Sequence, residues 1–252
     1  MGTIESNTQM QGDPIMHQKN INDNAANHYT SSAESAQAPY HYSEKRTRPM
    51  LDLTRTVADK LELFRIHPWD IIPNLRQYIV ERGIDLPYDK YDEIAENVWV
   101  HVSAYLSPTA KIEAPAIICG GARICHHAHV SNSIIGAFAT VGDHSSVTSS
   151  ILFDKSKLCG QNTFLSSILG YESVMGYGSI ADNRSEDGFN VTINMPEGTY
   201  ITGKQRIGSV ICDGTRISSL CYLSAGTVLD YCCQVKPLSK CAGYYPPHTE
   251  IK

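Results

Sequence analysis

The chain has 252 residues and carries 21 Lys and Arg against 26 Asp and Glu, a formal net charge of −5. That length allows one large domain or one domain with a tail, and the negative balance argues against a nucleic-acid-binding protein. No apolar run of about 18 residues is present to cross a membrane, and the first residues lack the apolar core of a signal peptide, so a cytoplasmic location is expected.

Residues 1–49 are rich in Asn, Gln, Ser, Ala and His and show no apolar period. They read as a disordered or loosely attached tail. Tyr40, Tyr42 and the basic run Lys45-Arg46-Thr47-Arg48 suit either a docking tail or a solvated one.

Residues 50–96 read as a helical cap and connector. Leu53, Val57, Leu61 and Phe64 form one stripe at spacings of four and three, which predicts a helix over 50–66. His67-Pro68 ends it, because proline restricts the residue before it. A second helix comes next, with Asp70 as cap, Pro73 in the first turn and Gly83 closing the end. Ile72, Leu75 and Ile79 are its expected buried face. Residues 84–97 are a connector.

From about Asn97 the pattern changes. Val100, Leu106, Ile112, Ile118, Ile124 and Val130 are branched aliphatics spaced by six. A helix repeats its apolar positions at three and four, and a half-buried strand at two. Period six is the mark of a hexapeptide β-helix, in which each short strand sends one aliphatic into a central core. Three hexads make one coil, and coils stack at about 4.8 Å. Solenoids need caps, so both N-terminal helices are expected to cover the open end of this coil. After Val130 the register slips by one, to Ile135, Val141 and Val147. A third run reads Ile168, Val174 and Ile180. The period vanishes over 181–206, a polar, turn-rich stretch that reads as a loop thrown out from one corner. It returns at Ile211, Ile217, Leu223, Leu229 and Val235, until Tyr244-Tyr245-Pro246-Pro247 stops the strands. The fold class is therefore an all-β solenoid, a parallel β-helix of hexapeptide repeats over 97–252 with a short N-terminal helical cap. Flat stacked faces make side-by-side association into a homotrimer the expected assembly.

All eight cysteines lie between Cys119 and Cys241, and none forms a CxxC pair. Cys119, Cys125 and Cys212 each come directly after a core aliphatic, where a small residue belongs. They read as buried thiols acting as small hydrophobes rather than as a redox or metal site.

Three groups of residues could carry chemistry. Cys125-His126-His127-Ala128-His129 is rich in histidine, and the one-residue slip places His127 and His144 at the same hexad position on adjacent coils. Such histidines suit a general base or binding group, a metal site completed by a third ligand, or an exposed ladder without chemistry. Asp143-His144-Ser145 spells a triad, but strand neighbours point to opposite faces, which works against triad geometry. Asn183, Arg184, Lys204 and Arg206 in the loop suit a phosphate or carboxylate, or face water. Gly176-Tyr177-Gly178 reads as a corner.

Several segments together resemble a known family. They are Arg-Ile-Cys-His-His-Ala at 123–128, Ser-Ile-Ile-Gly at 133–136, Val-Gly-Asp-His-Ser at 141–145, Ile-Leu-Phe-Asp at 151–154, Ser-Ile-Leu-Gly at 167–170 and Thr-Gly-Lys-Gln-Arg-Ile-Gly at 202–208 running into Ile-Cys-Asp-Gly at 211–214. The stretch from Pro68 to Pro247 resembles the left-handed β-helix acetyltransferase domain of the bifunctional N-acetylglucosamine-1-phosphate uridylyltransferase/glucosamine-1-phosphate acetyltransferase. It is closer still to stand-alone relatives named after UDP-N-acetylglucosamine pyrophosphorylase, whose short helical segment Trp-Asp-Ile-Ile-Pro at 69–73 resembles.

The resemblance implies a left-handed coil, a homotrimer, and acetyl transfer from acetyl-CoA to an amino sugar phosphate in a cleft between subunits. In that scheme a histidine deprotonates the amine. The chain departs from the family at that histidine, where it has Gly160. It also departs at an arginine (Ser131), a lysine (Thr148) and a tyrosine (Thr163). Asn183 and Ser219 match the acyl-CoA side, Arg206 stands where the family has a lysine, and His126 matches a histidine of the stand-alone relatives. The nucleotidyl-transfer half is not expected, since the first 96 residues hold neither its phosphate loop nor enough chain.

Three readings are open. The first is an acyl-CoA-dependent transferase with a changed small-molecule acceptor bound at a subunit interface. In it His126 or His144 is the base, Asn183 and Ser219 hold the acyl-CoA, and Arg206 and Lys204 hold the acceptor. The second is a non-catalytic trimeric scaffold or binding protein. The third, resting on the histidines, is a metal-dependent hydratase of carbonic anhydrase type, although no metal-ligand set is assigned.

Overall fold

The structure, a computed structural model, describes residues 50–58 and 67–252. The expected tail at 1–49 and the stripe positions Leu61 and Phe64 lie outside the described residues.

The chain folds as a left-handed parallel β-helix with three faces. On the first face Ile134 pairs with Ile151, and Ile151 with Ile168. On the second, Arg123 pairs with Thr140 and Thr140 with Lys157; on the third, Ser146 pairs with Thr163. The second face is one sheet of eight strands, from Tyr105–Leu106 to Glu250–Ile251. The first and third faces join into a 14-stranded sheet. They join because Lys111–Ile118 and His129–Ile135 run round the shared corner unbroken.

Inward-facing side chains fill the coil. Ile118, Ile124, Val130, Ile135, Val141, Val147, Leu152, Leu158, Phe164, Leu169, Met175 and Ala181 are all fully buried. The one-residue slip expected once therefore recurs in every central coil, always at the corner from the third face to the first. There the inward positions are five residues apart instead of six, and each turn passes through a residue in left-handed backbone, Asn132, Ser149 and Ser166 (φ 48°, 51° and 46°). A serine ladder stitches this corner. Ser133 Oγ accepts the Ser150 N–H at 3.1 Å, Ser150 Oγ the Ser167 N–H at 3.1 Å, and Ser167 Oγ the Ser209 N–H at 2.8 Å. The third apolar run consequently sits one residue later than expected. Leu169, Met175 and Ala181 point inward, whereas Ile168 faces outward and Ile180 is 37% exposed.

The first face is apolar on both sides. Ile117, Ile134, Ile151, Ile168, Val210 and Val228 project outward beside the inward row and form a second buried cluster. Doublets such as Ile134-Ile135 and Ile151-Leu152 are what a strand covered on both faces requires. The N-terminal segment supplies the cover with Leu51, Trp69, Ile71, Ile72, Leu75 and Ile79. The helix α1 (Leu75–Ile84) thus packs along the flank, on Lys111–Ile118 and His129–Ile135, rather than over the open end. The end of the first face is covered by a strand in the expected connector: Tyr91–Ala95 pairs antiparallel with Val98–His101.

The helical details differ from expectation as well. Within 50–58 there is a short 3-10 turn, Leu53–Arg55, capped by Asp52, instead of the start of a regular helix. Pro68–Asn74 is also 3-10, so Asp70 lies inside it and accepts from His67 instead of capping, and Pro73 sits in its last turn. Gly83 lies within α1, buried because the Trp99 ring occupies the space its side chain would take.

The inserted stretch lengthens the register step, so that Ile180 pairs with Tyr222. It is a hairpin, not an open loop. Thr192–Met195 pairs antiparallel with Gly198–Ile201, and an isolated bridge joins Arg184 to Arg206 at its root. Val191, Ile193 and Met195 are buried against the flank. The Tyr200 ring lies 4.9 Å from that of His67 and 5.7 Å from that of Trp69, so the hairpin continues the N-terminal cover. Among the described residues no helix is long and apolar enough to cross a membrane.

Candidate functional site

The corner between the second and third faces carries the histidines. Each coil turns there through a residue in left-handed backbone: His127 (φ 55°), His144 (56°), Gln161 (53°), Gly178 (66°) and Leu220 (60°). The residues just before them stack as His126, Asp143, Gly160, Tyr177 and Ser219. Each carbonyl of His126, Asp143, Gly160 and Tyr177 accepts the N–H of the left-handed residue one coil on.

His126 is exposed, yet its ring is held. Nδ1 lies 2.9 Å from Ser107 Oγ, a buried hydroxyl of the preceding coil that also accepts the Thr109 N–H at 3.3 Å. With the Ser107 proton turned to Thr109 Oγ1, 3.1 Å away, Nδ1–H donates to Ser107 and Nε2 keeps its lone pair. Sequence reasoning did not single out Ser107. Its signal is its place at the corner, one coil and one residue before His126.

His127 and His144 meet as their shared hexad position implies: their rings stack at 4.9 Å. His129 stands apart from them, paired with Glu113 at 3.1 Å. Lys111 and His129 together hold the Glu113 carboxyl below the usual range. The spelled triad does not assemble. Asp143 Oδ1 accepts the His126 N–H at 2.9 Å, and Ser145 is buried with its Oγ accepting the Asn162 N–H at 3.2 Å.

Gly160 is buried with φ 152°, and a side chain there would start 2.9 Å from the Tyr177 ring. The place of the expected histidine is thus crowded by the Tyr177 ring of the next coil. Ser131 and Thr148, where the resemblance has an arginine and a lysine, are direct partners on the third face.

The loop residues lie at a different corner, between the third and first faces. Asn183 is 9% exposed and its Nδ2 donates to Ser166 Oγ at 2.8 Å, fixing the root of the hairpin. Lys204 and Arg206 are exposed there, and among the described residues neither has an ion-pair partner. Within one chain the six expected site residues therefore do not converge. Asn183, Lys204 and Arg206 share a root. His126, His144 and Ser219 share a different corner but spread along it, with Ser219 four coils from His126, about 19 Å at the strand spacing.

Among the described residues no group of three or more His, Cys, Asp or Glu side chains is arranged to hold a metal ion. All eight cysteines are free; Cys119, Cys212, Cys221, Cys233 and Cys241 are buried. Burial pushes the Cys241 thiol up to about 12, so it stays protonated at neutral pH.

No protein-family model matches the chain, and no curated protein does. Among solved structures, the acetyltransferase domain of PglB from Neisseria gonorrhoeae FA1090 matches at 18% identity and a TM-score of 0.27, over 62% of this chain and 57% of that one. A point mutant of AntD, an N-acyltransferase from Bacillus cereus, in complex with dTDP and coenzyme A, matches at 13% identity and a TM-score of 0.37, over 58% of this chain and 72% of that one. The UDP-N-acetylglucosamine acyltransferase of Francisella novicida matches at 11% identity and a TM-score of 0.25, over 60% and 62%. The match to the PglB domain thus takes in less than two thirds of its length. At these identities and scores the likeness carries no statement about chemistry.

Proposed function

We propose that the chain is an acyl-CoA-dependent transferase acting on a small-molecule acceptor, with His126 as its general base. The observation that carries this reading is the ring held at Nδ1 by Ser107 Oγ, 2.9 Å away, on an exposed side chain. A base oriented on one nitrogen and free on the other is the arrangement general-base catalysis requires.

In this reading copies of the chain associate side by side as a homotrimer. The histidine corner of one copy then lies beside the hairpin root of the next, with His126 three coils, about 14 Å, from that root along the coil axis. Lys204 and Arg206, exposed and without ion-pair partners among the described residues, fit the phosphates of coenzyme A or of a phosphorylated acceptor. Asn183 holds the root in shape, and Ser219 lines the corner. The thioester supplies an activated acyl carbon. His126 Nε2 takes the proton from the acceptor's amine or hydroxyl as that group bonds to the acyl carbon. The C–S bond breaks, and His126 returns the proton to the departing thiolate.

A second reading, a trimeric scaffold without catalysis, draws on Gly160, which stands where the resemblance has its histidine and where a side chain would crowd the Tyr177 ring. Calorimetric titration with acetyl-CoA separates the two. Saturable binding that weakens in Lys204→Ala/Arg206→Ala supports the transferase. Absence of heat up to about 10 mM ligand, where even a weak site fills, leaves the scaffold. Light scattering reads the trimer mass directly. Stoichiometric zinc in the purified protein would instead favour the metal-dependent hydratase.

A further inference from the structure

A cavity of about 470 Å³ opens at the third corner, between the first and second faces, away from both the histidine corner and the hairpin root. That volume lies within the range of about 300–1,000 Å³ typical of small-molecule sites. Its origin is a gap in one column of residues. Along this corner the coils carry Gly120, Ala137, Asp154, Tyr171 and Asp213 in turn, as the backbone hydrogen bonds from coil to coil show. Two successive coils thus place almost no side chain at the corner. The 50–58 segment, through Thr56 and Val57, and the strand that begins at Tyr91 wall in the hollow this leaves.

The polar groups in the hollow are few and fixed. His101 Nδ1 accepts the Ser103 N–H at 3.1 Å, which puts the ring proton on Nε2. The His101 ring lies flat over Gly120, 3.2 Å from where a β-carbon would sit, and meets the Tyr91 ring edge to face at 5.0 Å. Phe138 stands at the mouth, 68% exposed. Asp154 closes the far side. Its Oδ1 accepts the Ala137 N–H at 2.7 Å, the one hydrogen bond its carboxylate receives among the described residues. The nearby cations make their direct contacts elsewhere, Arg55 with Asp52 at 3.5 Å, Lys155 with Glu172 at 3.2 Å and Arg82 with the Val57 carbonyl at 3.1 Å, so they act on the cavity only at longer range, Arg55 and Lys155 on Asp154 and Arg82 on Tyr91 and Cys119. Burial accordingly holds the Asp154 carboxyl above its usual range. Burial also keeps Tyr91 protonated and pushes the Cys119 thiol up to about 12, so both are neutral near pH 7. Lys90 lines the mouth but is exposed, where water and salt screen its charge.

We propose that this cavity binds a small organic ammonium ion, its charge set against Asp154 and its body packed among the Tyr91, His101 and Phe138 rings. A half-buried carboxylate with an uncommitted oxygen gains a charge-assisted hydrogen bond from an ammonium group. Aromatic faces beside it add cation–π attraction. A neutral ligand gains neither, and an anion is repelled. The site is independent of the transferase reading, because none of its residues belongs to that site.

The test is calorimetric titration of the full chain with benzylamine, benzyl alcohol and benzoate, probes that share a ring and differ in charge. Benzylamine is expected to bind at least about tenfold more tightly than either of the others, the margin of a charge-assisted contact. Asp154→Asn is expected to remove that preference while benzyl alcohol binding stays within about twofold of the native chain, since the amide keeps the shape and loses the charge. Equal binding of amine and alcohol by the native chain would overturn the proposal, as would absence of benzylamine binding up to about 10 mM. Because the three probes are compared on the native chain, the outcome does not depend on the variant's folding.

Discussion

The imidazole rings of His127 and His144 stack one coil above the other, 4.9 Å between centroids and 21° between planes. Each sits in left-handed backbone at the same corner. Aromatic pairs are worth about 0.5–1.5 kcal/mol beyond their burial, and both rings here are exposed. A double-mutant cycle with His127→Ala and His144→Ala is therefore expected to give a coupling at the low end of that range, about 0.5 kcal/mol. Urea unfolding of the four proteins measures it. A coupling indistinguishable from zero would mean the stack is a consequence of the corner geometry alone.

The register of the third apolar run yields a sharper contrast. Ile180 is 37% exposed, and its neighbour Ala181 is fully buried inside the coil. Ile180→Asp is expected to cost about 1 kcal/mol, the scale of a strand-surface substitution. Ala181→Asp places a charge in the apolar core and is expected to cost more than about 4 kcal/mol, enough to unfold many domains. Circular dichroism and thermal melting of the two variants read the difference. The reverse order of stability would restore Ile180 to the core.

Why the period-six pattern gives the fold but misses this register is a matter of the corner at Asn132, Ser149 and Ser166. This corner spans five residues between inward positions where the other two span six, and period six alone is blind to the difference. The clue present in the sequence is the doublet. Ile134-Ile135, Ile151-Leu152 and Ile168-Leu169 each hold one inward and one outward aliphatic, which also foretells that something covers the first face. The covering hairpin was legible in the same way, because Ile193 and Met195 alternate with Thr192 and Asn194 within a stretch that looks polar overall. For the candidate site, the hexad arithmetic brings His127 to His144. It cannot bring His126 to Lys204 and Arg206, because they lie on different corners of one chain. The role of Ser107 is hidden because its partner lies across a coil, at a spacing no local motif encodes.

Close stacking of the coils predicts a second contrast, between two glycines. A β-carbon on Gly142 would run into the carbonyl of Cys159 and lie 2.6 Å from that of Leu158, both backbone atoms of the next coil that cannot yield alone. Gly142→Ala is expected to force the coils apart at about 3 kcal/mol, the upper part of the overpacking range. Gly203 has φ +65° and nothing within 4 Å of such a carbon. Gly203→Ala should cost only the left-handed backbone penalty, about 1 kcal/mol. Urea midpoints rank the two, and equal midpoints would refute the steric argument.

If His126 is the base, Ser107 is its positioning partner, and the two substitutions should separate in kinetics. His126→Ala removes proton transfer, worth about 10²- to 10⁴-fold in kcat. Ser107→Ala leaves the imidazole but frees its orientation, so a smaller kcat loss of about tenfold is expected, with KM for acyl-CoA unchanged. Ser107→Thr, which keeps the hydroxyl, should restore part of that loss. A loss for Ser107→Ala that appears entirely in KM would remove Ser107 from this role.

Asp154 sets a pH-dependent prediction for stability. Burial raises its folded-state pKa above the unfolded value, against the weaker lowering effects of the Ala137 N–H, Arg55 and Lys155. An acid whose folded pKa is raised contributes stability that is full below the unfolded pKa, about 3.9 for an Asp, and is lost as pH rises through the folded pKa. The native chain should therefore lose stability at this position as pH climbs out of the acid range, while Asp154→Asn, which has no ionisation, should not. The difference in unfolding free energy, variant minus native, is expected to grow in the variant's favour as pH rises from the unfolded pKa, about 3.9, through the higher folded pKa, and then to level off. Saturating benzylamine at neutral pH should reverse the trend for the native chain, because an ammonium ion bound only to the folded carboxylate lowers its pKa and adds binding free energy to the folded state. Urea unfolding across that pH range, with and without the amine, measures both slopes. A flat difference without ligand would show that Asp154 is solvated like an ordinary surface carboxylate, and an unchanged slope with ligand would show that the amine binds elsewhere.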